Sequence, residues 1–133
     1  MSYCFINGDF VYFVGVGVLA GRRRLLILGP SFRRRCDVGL LSALERFDGL
    51  FFRVARKYLG GVRDVDVVVM VDDLTLVDGD SPLAYKAPEG IEWGKQKFSS
   101  EVLERARAVN EKFLEKKLRN GRYGEVYLAM GKQ

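Results

Sequence analysis

Four consecutive apolar residues, Leu25-Leu26-Ile27-Leu28, constrain the fold of this chain more than any other feature. A strand with one wet face alternates apolar and polar side chains, because successive residues point to opposite faces. A run without alternation is dry on both faces, which requires a cover on each side of the sheet. Val65-Asp66-Val67-Val68-Val69-Met70-Val71 is the clearest strand, β-branched and apolar. Glu125-Val126-Tyr127-Leu128-Ala129-Met130 reads as a final strand. Gly29-Pro30-Ser31, Asp72-Asp73 and Gly131-Lys132 end the three runs.

The segments between them read as helices. Leu40, Leu41, Leu44 and Phe47 recur at helical spacing up to Asp48-Gly49. Leu50, Phe51, Val54, Ala55, Tyr58 and Leu59 then form a second stripe, stopped by Gly60-Gly61. Residues 99–119 give the strongest helix. Ser99 or Ser100 caps it, Glu101 and Glu104 suit its positive end, and Lys116, Lys117 and Arg119 suit its negative end. Val102, Ala106, Val109, Phe113 and Leu118 define its apolar face. Residues 72–97, with Asp78-Gly79-Asp80, Pro82 and Pro88, read as one long loop. Helices alternating with buried strands predict an α/β fold: a three-layer sandwich with a mainly parallel sheet, one domain over residues 1–133.

Asn7-Gly8 between Tyr3-Cys4-Phe5-Ile6 and Phe10-Val11-Tyr12-Phe13-Val14 signals a β-hairpin. An N-terminal β extension over residues 1–21 is therefore expected at a sheet edge or on a neighbour. Phe5, Phe10, Tyr12 and Phe13 are more aromatic surface than one small hairpin hides. A homo-oligomer, most simply a dimer, is expected through this extension.

Apolar residues are 48% and charged residues 29% of the chain, a globular balance. The longest apolar run, Phe10 to Ala20, is well short of the ~18–20 residues that cross a bilayer. No signal-peptide layout opens the chain, and a soluble cytoplasmic protein without membrane partners is expected. The absence of His removes the commonest general base and metal ligand. Cys4 and Cys36 are too few for a zinc site, and their pairing is left open. Few Asn and Gln with many charges suggest a thermophile.

The net charge of +5 is segmented. Arg22 to Arg24 and Arg33 to Arg35 face a single acid, Asp9, in the first 36 residues. Residues 61–92 are strongly acidic, and residues 93–133 are basic again. Basic patches are the footprint of phosphate-rich partners, so nucleic acid or a nucleotide is the expected ligand. The same segmentation also suits acidic and basic surfaces that face each other within a dimer.

Three loops carry candidate chemistry. Gly29-Pro30-Ser31-Phe32-Arg33-Arg34-Arg35 lies just past a buried strand, where open α/β sheets bind ligands. Ser31 with Arg33, Arg34 and Arg35 suits a phosphate, and exposed arginines there could be removed with little loss of stability. Asp72 and Asp73, at the end of another strand, are candidates to hold Mg²⁺ or to act as an acid/base pair. Arg46 and Asp48 either pair to fix two helices or turn toward a ligand. Gly15-Val16-Gly17-Val18-Leu19-Ala20 matches G-x-G-x-x-A, but no helix follows to receive a pyrophosphate.

The order of these motifs resembles a widespread family of short α/β domains without an assigned function, distantly similar to YaaA-type stress proteins. Arg46-Phe47-Asp48-Gly49-Leu50-Phe51-Phe52-Arg53 looks like that family's Arg-Tyr-Asp-Gly-Pro-Leu-Phe-Arg segment. Pro30-Ser31-Phe32-Arg33-Arg34 matches its Cys-Ser-x-x-Lys loop, with Pro30 in place of Cys. Pro82 to Tyr85 match its tyrosine stretch, and Tyr127 to Lys132 its last strand. Val71-Asp72-Asp73-Leu74-Thr75 replaces its Ser-Ala-x-x-Gly loop. The resemblance implies one cleft at the strand ends lined by Ser31, Arg33, Arg46, Asp48, Asp72 and Tyr85, and, from the YaaA-type proteins, an association with DNA.

Overall fold

The computed structural model describes residues 2–6, 9–17, 23–31, 33–87 and 99–131, with side chains over 23–31, 33–87 and 99–129. Asn7-Gly8, where the sequence signals a hairpin, Arg22 and the 88–98 stretch lie outside the described residues.

Among the described residues, eight strands and three helices follow one another as β1 (Ser2–Ile6), β2 (Asp9–Gly17), β3 (Arg23–Leu28), β4 (Leu41–Ser42), α1 (Ala43–Arg46), α2 (Leu50–Leu59), β5 (Val65–Met70), β6 (Leu76–Asp78), β7 (Pro82–Leu83), α3 (Ser100–Gly121) and β8 (Tyr123–Gly131). The three apolar runs form β3, β5 and β8, the parallel centre of a mixed six-stranded sheet of order β1-β2-β8-β3-β5-β6. The fold is therefore of the α/β class. β1 and β2 pair antiparallel, and β2 joins the sheet along β8, with Val11 opposite Gly131 and Gly17 opposite Glu125. Gly15 and Gly17 are strand residues, and the remainder of that motif, residues 18–20, lies outside the described residues.

Alternation along the central strands divides the core. Leu28, Val69 and Ala129 pack with Ala43, Phe47, Phe52 and Ala55 of the α1–α2 region. Leu25, Ile27, Val68 and Tyr123 pack with Leu76, and Phe113 and Leu114 of α3 join them. Strand order reverses at β3, since β5 lies on one side of it and β8 on the other.

Several local expectations change. Leu40 and Leu41 are not helical: Leu41 starts β4, and α1 is one turn capped by Ser42, which accepts from the Glu45 amide at 3.3 Å. Two short strands occupy the predicted long loop, because β6 continues from β5 through a tight turn and β7 pairs with β4. In α3, Val109 and Leu118 are exposed. Ala106 and Phe113 of the expected face do turn inward, and Asn110, Leu114 and Lys117 join them there. Asn110 accepts from the Leu76 amide and donates to the Leu74 carbonyl, both at 2.8 Å. That carbonyl belongs to a residue at φ 67°, a strained turn that the amide side chain closes. No helix among the described residues is long and apolar enough to cross a membrane.

Candidate functional site

The 33–35 segment bridges back onto residues 46–48: Asp48 donates its amide to the Arg33 carbonyl and Arg35 to the Arg46 carbonyl, each at 2.8 Å. Extended backbone sends neighbouring side chains to opposite sides. Arg34 turns inward, its side chain 3% exposed, and grips Asp72 end-on through bonds of 2.8 and 3.0 Å from its two terminal nitrogens. It also donates to the Ser31 and Lys86 carbonyls and lies over the Phe47 ring. Arg33 and Arg35 turn outward. Arg35 is held by Asp37, whose carboxyl is lowered by that hydrogen bond, while Arg33 has no side-chain partner among the described residues.

The remaining predicted residues are also tied into the frame. Ser31 is buried, donates to the Arg33 carbonyl at 3.0 Å, and packs so closely on Gly49 that a Cβ there would lie 2.5 Å from its Oγ. Arg46 does not pair with Asp48. It is the last residue of α1 and points into the 35–39 loop, whereas Asp48 turns toward α2. Arg53 binds Asp48 side-on at 2.8 and 3.1 Å and Arg56 adds a bond of 2.7 Å. Those contacts, the Arg53 bond foremost, hold the Asp48 carboxyl below its ordinary value. Asp73 caps its own turn, accepting from the Thr75 amide and hydroxyl. Tyr85 is exposed. A cavity of about 250 Å³ at this end gathers Arg34, Arg46, Asp72 and Asp73, but Ser31, Arg33, Arg35 and Asp48 lie outside its lining. The neighbouring carboxylates Asp72 and Asp73 thus have separate partners, and no group of three His, Cys, Asp or Glu that could hold a metal occurs among the described residues. The Cys36 thiol is free and exposed.

The larger clefts lie at the other end, where β3, β5 and β8 begin. One, of about 620 Å³, runs between α1, the end of α2 and the 78–80 turn. The other, of about 560 Å³, is walled by the end of α3 and the starts of β3 and β8. Asp66, Asp78 and Lys117 belong to both. Asp66 accepts from Arg23 and from the buried Tyr123 hydroxyl. Burial would raise Asp66, yet the Tyr123 and Arg23 bonds outweigh it and leave the carboxyl lowered. Burial and the same bond push the Tyr123 phenol upward. Lys117 donates to Asp78. Lys116 and Arg122, on the wall of the 560 Å³ cleft, have no ion pair among the described residues. Sequence reasoning placed Lys116 and Lys117 only at a helix end and missed Arg122, which takes the left-handed φ of 50° that ends α3.

The segmented charge now has a physical account. Arg23 with Asp66, Arg24 with Asp64, Arg34 with Asp72 and Lys117 with Asp78 each join a basic segment to the acidic 61–92 stretch within one chain. Comparison of the chain with protein-family models, with curated proteins and with solved structures found no match.

Proposed function

We propose that the protein is a nucleic-acid or nucleotide binding module, built as a three-layer α/β sandwich with an N-terminal β extension. Its contact surface is the 560 Å³ cleft where the parallel strands begin, rather than the arginine-rich loop at their far end. The observation that carries this reading is the pair Lys116 and Arg122, cations without an ion pair among the described residues, beside Arg23 and Lys117. The latter two are anchored by Asp66 and Asp78, which fixes their positions but lowers the local positive charge. A few cations without partners support weak, sequence-independent contact with phosphates. Likeness to the short α/β family and to DNA-associated YaaA-type proteins belongs to the same proposal. A Mg²⁺-dependent enzyme built on Asp72 and Asp73 has less support, because Arg34 and Thr75 already engage those carboxylates.

Fluorescence anisotropy with labelled single- and double-stranded DNA and RNA, at about 50 mM salt where the phosphate contribution is strong, tests the reading. Binding that weakens in Lys116→Ala/Arg122→Ala supports it. Folded protein that binds none of the probes, nor a nucleoside triphosphate, overturns it.

A further inference from the structure

The loop between β3 and β4 is held from inside. Arg46 is only 2% exposed and forms no ion pair among the described residues. Its donors reach the carbonyls of Arg35 at 2.8 Å, Asp37 at 3.0 Å and Gly39 at 2.6 Å, and that of Leu83 at 3.1 Å across the cavity. Residues 35, 37 and 39 alternate with Cys36, Val38 and Leu40, which are exposed, Val38 completely and Leu40 at 66%. Gly39 permits the bend between them with φ of 92°. A wholly exposed valine and a largely exposed leucine on a loop locked by a buried guanidinium form a preorganised apolar tip, for which little ordering remains on binding.

A matching receptor stands beside it. Two residues beyond Leu40, Ser42 and then Leu44 and Glu45 form one lip of the 620 Å³ cleft. Ala55, Leu59 and Val67 give that cleft an apolar wall, and Glu45 and Asp80 stand on its rim without ion pairs among the described residues. The tip is flanked by Arg33, of sign opposite to that rim and without an ion pair among the described residues, while Arg35 is matched by Asp37.

We propose that this surface is a two-fold self-association interface, in which Val38 and Leu40 of one protomer enter the 620 Å³ cleft of a second copy while Arg33 approaches its acidic rim. A second copy fits because Leu40 of the tip and Ser42 of the cleft lip are two residues apart on one segment that runs from the arginine-rich end toward the cleft, so a two-fold axis beside that segment can seat both tips at once, as an isologous dimer requires. Apolar tip then meets apolar wall, and basic flank meets acidic rim.

Sedimentation velocity at up to ~0.1 mM protein tests this, a concentration that reveals dissociation constants of that order. The wild-type protein should approach twice 15.1 kDa. Val38→Asp/Leu40→Asp changes only exposed positions, so it should keep the wild-type circular dichroism yet dimerise at least ~10-fold more weakly. Glu45→Arg/Asp80→Arg should weaken the dimer from the other side. Mixing the two variants should restore part of the dimer, because one tip still meets one intact cleft. A monomeric wild type would assign the tip to a different protein and overturn the proposal. A tip variant that dimerises like the wild type would place the interface elsewhere, and a mixture that stays monomeric would contradict the reciprocal exchange.

Discussion

Replacing Arg46 by Met keeps the apolar stem and volume of a side chain only 2% exposed, but removes its five hydrogen bonds to four carbonyls. A hydrogen bond to a charged donor contributes about 1.5–3 kcal/mol net, and a buried acceptor left alone costs about 1–3 kcal/mol. The carbonyls of residues 35, 37 and 39 belong to exposed residues and regain water once the loop relaxes. Desolvation of the guanidinium, which the wild type must bear and Met does not, offsets a further part. The expected loss is about 3 kcal/mol, corresponding to a fall in Tm of roughly 10 °C for a domain of this size. Urea denaturation followed by circular dichroism measures it. Hydrogen exchange locates it, since amides of residues 35–40 should exchange faster while those of β3 and β5 follow only the global change. A variant within about 0.5 kcal/mol of the wild type, the range of ordinary surface substitutions, with unchanged exchange in the loop, would refute the view that Arg46 holds the loop.

Asp72→Asn removes the carboxylate charge that the Arg34 side chain, 3% exposed, binds through two hydrogen bonds, so stability should drop by about 2–3 kcal/mol, and equally with and without Mg²⁺ in thermal melts. The Asp48 carboxyl lies below its ordinary 3.8 in the folded protein, chiefly through Arg53. Its contribution is therefore complete above that value and lost as pH falls through the folded one; denaturation from pH 6 to 2 should show a shallower acid loss in Asp48→Asn. The Tyr123 phenol is raised above its ordinary 10.0 by burial and by Asp66. Stability from it is complete below pH 10 and is lost as pH rises through the folded value, so Tyr123→Phe should flatten the alkaline limb of the same measurement.

The central strands were legible because burial on both faces suppresses alternation, and β3, β5 and β8 carry it over four or more residues. β6 and β7 were not, because three and two residues are too few for a period and their pairing comes from partners elsewhere in the chain. The α3 face was misjudged where tertiary contacts decide. Asn110 and Lys117 turn inward to meet a strained turn and Asp78, and no apolar pattern announces such polar residues. The site failed for a related reason. Arg34 and Asp72 are 38 residues apart, so nothing local marks the triplet's middle arginine as buried and its neighbours as exposed. Removing all three arginines is accordingly not neutral, as it takes the Asp72 partner with it. One signal was available: a basic start, an acidic middle and a basic end, which fold onto each other as internal ion pairs.

The most direct test of the proposed function is the salt dependence of nucleic-acid binding, compared between variants at the two ends of the sheet. For contact with Z duplex phosphates, log K falls with log salt at a slope of about −0.9Z. With Lys116, Arg122 and their anchored neighbours in contact, the wild type should show Z of roughly 2–3, and Lys116→Ala/Arg122→Ala should lower it by about 2. Arg33→Ala/Arg35→Ala, at the far end, should leave the slope unchanged. A slope lost in the Arg33/Arg35 variant and kept in the Lys116/Arg122 variant would contradict the assignment of the contact surface to the cleft where the strands begin.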